Sequence, residues 1–181
     1  MAGKYNLSYE SEMGTKVNVS FSHPEYLTTT YPKYQNSWNV VANTNGDLYD
    51  QDGKYYYGLY FEEEAYYPVD FNEGFYVTKE NAIDFLEDKL SMIGLTPRER
   101  NEMIMYWLPI LENNGQSVVK FEFTSERQAF NGIHIDPKPD SMLRVLIHVK
   151  KVNEKVDITP QYLPHFERNG FSVVEWGGRK H

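Results

Sequence analysis

Thr78-Lys79-Glu80-Asn81-Ala82-Ile83-Asp84-Phe85-Leu86-Glu87-Asp88-Lys89-Leu90-Ser91-Met92-Ile93-Gly94, followed one residue later by Thr96-Pro97-Arg98-Glu99, is the stretch that decides the fold class. Thr78 can cap a helix running through Leu90. Ala82, Ile83, Leu86, Leu90 and Ile93 form its apolar stripe, and Gly94 stops it. Thr96 then opens a second helix as its N-cap, with proline in the first turn and Glu99 three residues on, the pattern of a capping box. That helix turns Met103, Ile104, Trp107, Leu108 and Leu111 inward and ends near Gly115. Pro109 inside it lacks the N–H that would bond the Met105 carbonyl, which predicts a kink or an early end.

On both sides of this hairpin the period changes from 3.6 to 2. Val17, Val19 and Phe21 alternate with Lys16, Asn18 and Ser20, a strand with one wet face. Trp38 to Ala42 reads as another strand. Asn45-Gly46 and Asp52-Gly53 supply hairpin turns around Leu48-Tyr49, and the aromatic run Tyr55 to Phe61 reads as one long strand completing a meander. After the helices, Val119, Phe121 and Phe123 alternate with Val118, Lys120 and Glu122. Leu143, Val145, Ile147 and Val149 alternate with Arg144, Leu146, His148 and Lys150. Asp136-Pro137-Lys138-Pro139-Asp140 is a stiff extended loop. Phe171 to Trp176 is a closing strand entered through Asn169-Gly170 and left through Gly177-Gly178. The sum is α+β: an antiparallel sheet or sandwich with a two-helix hairpin packed on one face. Residues 1–14 read as an N-terminal arm, 15–178 as a single domain and 179–181 as a tail.

Composition narrows the functions. The 181 residues are 40% hydrophobic and 24% charged, enough to bury a core. No apolar run reaches the ~18 residues of a membrane span, and Met1-Ala2-Gly3-Lys4-Tyr5 lacks the apolar stretch of a signal peptide. With 18 Lys plus Arg against 26 Asp plus Glu the net charge is −8, and Lys150-Lys151 and Arg179-Lys180 are short basic pairs. That balance argues against nucleic acid as a partner. Cysteine is absent, which removes disulfides, thiol nucleophiles and thiolate metal sites. There is no Gly-x-Ser-x-Gly elbow and no glycine-rich phosphate loop. The 15 tyrosines, beside 10 Phe and 3 Trp, fit a tyrosine-rich β domain or a recognition surface.

Several blocks stand out in order. Tyr31-Pro32-Lys33-Tyr34, Trp38, Gly46 and Asp52-Gly53-Lys54 lead to Tyr57-Gly58-Leu59-Tyr60-Phe61-Glu62. Tyr106-Trp107-Leu108-Pro109 follows, then Pro137-Lys138-Pro139-Asp140 with Arg144-Val145, and last Gly170-Phe171-Ser172-Val173-Val174-Glu175-Trp176-Gly177-Gly178. Over residues 15 to 178 the chain resembles an uncharacterised bacterial family of hypothetical proteins, many of whose members look exported or surface-associated. The family's Ile-Tyr-Leu-Tyr-Pro segment is replaced here by Tyr-Asn-Leu-Ser-Tyr, and its Trp-Glu by Phe61-Glu62. The resemblance brings no activity with it, and implies an extracellular or cell-surface setting.

Carboxylates beside large rings are the residues that invite chemistry. Phe61-Glu62 and Glu175-Trp176 each place an acid next to an aromatic ring. Two carboxyls about 5–10 Å apart across a sugar bond would make a glycosidase-like pair. Arg144 lies in an apolar strand and needs a carboxylate partner, with Asp140 and Glu175 as candidates. It reads as a structural ion pair holding the proline loop to the closing strand, or as a grip on an anionic ligand. His134-x-Asp136 with His148 has side chains suited to a metal but no ligand spacing. The Asn43 to Gly53 oxygen-rich stretch lacks the EF-hand pattern, so neither a metal nor a cofactor is called for. The leading reading is a non-enzymatic binding or structural module presenting Trp38, Tyr57, Phe61, Glu62, Asp140, Arg144, Glu175 and Trp176 to a protein or glycan. The alternative is a carboxylate-based hydrolase of a cell-wall or other polysaccharide, using Glu62 and Glu175.

Overall fold

The computed structural model describes residues 2–8 as backbone and residues 14–181 with their side chains. Its elements run β1 (Ala2–Ser8), β2 (Thr15–Phe21), β3 (Leu27–Tyr31), β4 (Trp38–Ala42), β5 (Leu48–Tyr49), β6 (Tyr55–Tyr56), β7 (Leu59–Glu63), β8 (Glu73–Thr78), α1 (Ala82–Ile93) and α2 (Pro97–Asn114). They continue with β9 (Gln116–Glu122), α3 (Thr124–Phe130), β10 (Ile133–Asp136), β11 (Ser141–Lys151), β12 (Thr159–Pro160) and β13 (Ser172–Lys180). The fold is α+β, built on antiparallel and mixed sheets, with β8 and β12 pairing parallel. The chain divides into two compact units. Unit 1 comprises Met1–Tyr66, Glu122–Val145 and Arg168–Gly177; unit 2 comprises Tyr67–Phe121, Leu146–Glu167 and Gly178–His181.

Unit 1 is a sandwich. A five-stranded sheet, ordered β10-β2-β4-β5-β6 among the described residues, turns one face inward. Val17, Val19, Phe21, Trp38, Val40 and Leu48 from that face join Leu59 and Phe61 of β7 and Phe171 and Val173 in one core. Phe21 organises it, meeting Phe61 edge-on at 4.9 Å and Trp38 at 5.7 Å between ring centres. The expected turns form as read. Gly46 and Gly53 have φ of 85° and 78°, the left-handed region where a Cβ is penalised. The aromatic run is not one strand, however. It breaks at Tyr57-Gly58, so that β6 pairs with β5 while β7 pairs with β1 and β3. The meander therefore ends at β6, and β7 serves the other layer. Ala2–Ser8, read as an arm, forms β1, in register with β7 from Ala2 opposite Glu62 to Tyr5 opposite Leu59. Residues 1 and 9–13 of that arm lie outside the described residues.

Unit 2 holds the helical hairpin. β8 and β9 pair antiparallel from Phe75 opposite Val119 to Thr78 opposite Gln116, and α1 and α2 pack on each other and on β8. The Thr96 capping box forms as the sequence predicts: the Glu99 N–H bonds Thr96 Oγ1, and Glu99 Oε2 accepts the Thr96 N–H. Met103, Trp107 and Leu111 are buried. Three expectations are corrected. Asn81, not Thr78, occupies the N-cap of α1, its Oδ1 accepting the Thr78 N–H at 2.9 Å. Ile83 is 52% exposed, one residue round the helix from the buried Ala82–Leu86–Leu90–Ile93 stripe. Finally, α2 has no early end at Pro109: it continues to Asn114, with Gly115 as its C-cap.

β13 also outruns its prediction, passing through Gly177-Gly178 to Lys180, so two of the three tail residues are strand. A Cβ on Gly178 would lie 2.2 Å from the Ile147 carbonyl and 2.4 Å from the Trp107 ring. Glycine here marks close approach inside a strand rather than its end.

Candidate functional site

Within unit 1 the expected Arg144–Glu175 pair forms, and it is interior. Neither side chain exposes more than 1%. The Arg144 Nε and Nη2 face the two Glu175 oxygens, while Nη1 donates to Gln128 Oε1 at 2.6 Å and to the Asn131 carbonyl at 2.7 Å. A second buried pair adjoins it. Arg127 Nη2 donates to Glu63 Oε2 at 2.8 Å, and Asn131 Nδ2 donates to Glu63 Oε1 at 2.7 Å. Asn131 thus bonds both pairs, through its side chain to Glu63 and its carbonyl to Arg144. α3 supplies Arg127 and Gln128 to this cluster, and Thr124 Oγ1 accepts the Arg144 N–H. A guanidinium in an apolar strand needs such partners, because burying it unpaired is costly.

The other expected site residues are scattered by strand alternation. On β7, Phe61 and Glu63 point inward, and Glu62 between them is half-buried and accepts the Tyr60 hydroxyl. Phe61 and Trp38 are core residues, and Trp38 Nε1 donates to the Pro32 carbonyl at 2.8 Å. Trp176 is buried and Tyr57 half-buried. The proline loop is held to the closing strand by the exposed Asp140 and not, as expected, by the Arg144 pair, whose side-chain bonds go to Glu175, Gln128 and Asn131. Asp140 Oδ2 accepts the Phe171 N–H and the Asp140 N–H bonds the Phe171 carbonyl, both at 2.8 Å. Of the proposed recognition residues, then, Trp38, Phe61, Arg144, Glu175 and Trp176 serve the interior rather than a surface. Their apolar strands had to bury them.

What unit 1 does present is the outer face of the five-stranded sheet. Register sets Lys16 opposite Val41, Val41 opposite Tyr49 and Tyr49 opposite Tyr55 in one row, with Asp136, Asn18 and Asn39 in the next. These residues, apart from Tyr55, line a cleft of about 580 Å³ together with Asp50 and Gln51. An adjoining hollow of about 260 Å³ shares Asn39, Val40, Asp50 and Gln51 and adds Lys33, Gln35, Asp52 and Tyr56. Asn18 Nδ2 donates to Ser37 Oγ and to Asn39 Oδ1, both at 2.8 Å, which fixes the two amide planes. Tyr49 and Tyr55 meet edge-on at 5.7 Å.

At the rim, Asp50 organises the β5–β6 turn by accepting the Lys54 and Asp52 N–H groups and the Tyr56 hydroxyl. The Lys54 N–H above all, with the Tyr56 hydroxyl and Asp52 N–H adding to it, holds the Asp50 carboxyl below the ordinary aspartate range. Lys16, Gln51 and Asp136 have no side-chain partner among the described residues.

Sequence reasoning placed Asn18 on the wet side of a strand and named Asn39 and Tyr49 only as members of strands. The signal that could have found them was the clustering of amides and tyrosine on one face once the hairpin register was drawn. For the histidines, His134 Nε2 bonds Ser22 Oγ at 2.9 Å and His148 Nδ1 meets His181 Nε2 at 3.0 Å. No group of three or more potential metal ligands gathers among the described residues. No helix among them is long and apolar enough to cross a membrane. No family model, curated protein or solved structure matches this chain at a significant level.

Proposed function

We propose that this chain is a non-enzymatic binding module and that the outer face of its five-stranded sheet is the recognition surface. The carrying observation is the cleft itself: about 580 Å³, within the size range of small-ligand sites, lined by amides, two carboxylates, a lysine and a tyrosine ring. Strands hold side chains to a fixed spacing, so the polar groups are set in place before a ligand arrives. The glycosidase-like alternative needs Glu175 free to exchange a proton with substrate. Glu175 is instead sealed from water against Arg144, and it serves the fold.

The reading is tested by screening the intact chain, immobilised, against a glycan array and a panel of cell-surface proteins, with Tyr49→Ala and Asn39→Ala beside it. Retention of a ligand by the parent chain, lost in both variants at unchanged melting temperature, is the expected result. A ligand held equally well by all three chains overturns it.

A further inference from the structure

The chemistry of this cleft selects among ligands. Its lining and that of the adjoining hollow place Lys16 and Lys33 against Asp50, Asp52 and Asp136, so neither sign dominates, and the chain as a whole carries −8. A sulfated or phosphorylated polymer would find no basic field to draw it in. A protein partner would need an apolar, desolvated centre with aromatic anchors, but the middle of this face is the polar row Asp136, Asn18 and Asn39. Side-chain amides offer both donors and acceptors, Asp136 offers acceptors and Lys16 donors. Asn18 spends its N–H groups on Ser37 and Asn39, which leaves its Oδ1 as an acceptor with no partner among the described residues. Vicinal hydroxyls, each both donor and acceptor, match that mixture. The Tyr49 ring supplies an apolar plate for the C–H face of a sugar.

We propose that the cleft binds a neutral oligosaccharide, with one pyranose ring against Tyr49 and neighbouring hydroxyls bonded to Asn18, Asn39 and Asp136. The proposal rests on the binding-module reading and names the ligand class for that same face. It involves no bond making or breaking.

The test is a titration of the ¹⁵N-labelled full chain, followed by amide chemical shifts. The probes are neutral hexasaccharides of β-1,4-glucose, α-1,4-glucose and β-1,4-N-acetylglucosamine, with a sulfated heparin hexasaccharide as the polyanion arm. At least one neutral probe should shift the amides of residues 16–18, 39–41 and 49–51 saturably. Tyr49→Ala should weaken that binding by about tenfold or more. The affinity should stay constant as salt rises from about 50 to about 500 mM, because screening acts on charge and not on hydroxyl hydrogen bonds. Saturable shifts with heparin alone, or no shift with any neutral probe, overturn the proposal. If the neutral probes fail while a protein from the surface panel is lost on Tyr49→Ala, the saccharide assignment falls and the module reading stands. If a sugar binds with full affinity to Tyr49→Ala and Asn39→Ala, both fall.

Discussion

Arg144 and Glu175 meet inside unit 1 with no more than 1% of either side chain exposed, whereas Lys16, Asn18, Asn39 and Tyr49 meet on the outer face of a sheet a few strands long. Both regions are polar, and both depend on strand register to bring distant residues together. In the interior cluster the charges are matched to each other: Arg144 with Glu175 and Arg127 with Glu63, with Asn131 bonding both pairs. On the outer face Lys16, Gln51 and Asp136 are left unmatched by the described residues. The difference teaches that a charge in an apolar strand is a demand for a partner within the fold, while uncommitted polar groups held rigidly at a surface can be offered to another molecule.

The comparison can be broken most decisively from the inside. Arg144→Ala strands the Glu175 carboxylate and should cost about 3–5 kcal/mol in urea unfolding, as for a buried pair that loses one partner. A loss under about 0.5 kcal/mol, the size of a surface effect, would place the pair in water and erase the contrast. Replacing both partners, Arg144→Met with Glu175→Leu, should cost much less than Arg144→Ala, because no buried charge remains; a larger loss than the single variant's would mean the two side chains do not act as a pair. Asn131→Ala removes the donor to Glu63 and should cost about 1–3 kcal/mol, the penalty for an unsatisfied buried acceptor. On the outer face, Tyr49→Ala and Asn39→Ala should each change stability by no more than about 0.5 kcal/mol, and thermal melting checks this directly. A large loss from either would make the cleft a structural feature.

The smallest effect concerns pH at the cleft rim. The Asp50 carboxyl is held below its ordinary range, so its hold on the β5–β6 turn is complete above the unfolded aspartate value. That hold is lost as pH falls through the lowered folded value. The Lys54 amide resonance should therefore move only at a pH below ordinary aspartate titration; movement at the ordinary value would show that the turn does not grip Asp50.

How far the residues announced all this varies with the kind of signal. The Thr96-Pro97-Arg98-Glu99 start of α2 was legible because capping is local: side chain and backbone partner lie three residues apart. The Gly46 and Gly53 turns were legible for the same reason. α3 was missed because Thr124–Phe130 has no apolar stripe; its buried residue is Arg127, whose partner Glu63 is 64 residues away. The split of the aromatic run at Tyr57-Gly58 was hidden because both halves are rich in tyrosine and both suit a strand. Only pairing with different neighbours separates them. Arg144's need for a carboxylate was visible, and so was Glu175 as a candidate; that the pair would be sealed inside was not.

The sequence by itself determined the α+β class, the start of α2, the Gly46 and Gly53 turns and which face of β2 is wet, since each follows from propensity or period within a dozen residues. Only the tertiary structure decided which acids and rings are core, which lie on a surface, and that Asp136, Asn18, Asn39 and Tyr49 share one face. Those outcomes depend on register and layer assignment between segments far apart in the chain, where a slip of one residue turns every side chain to the opposite side.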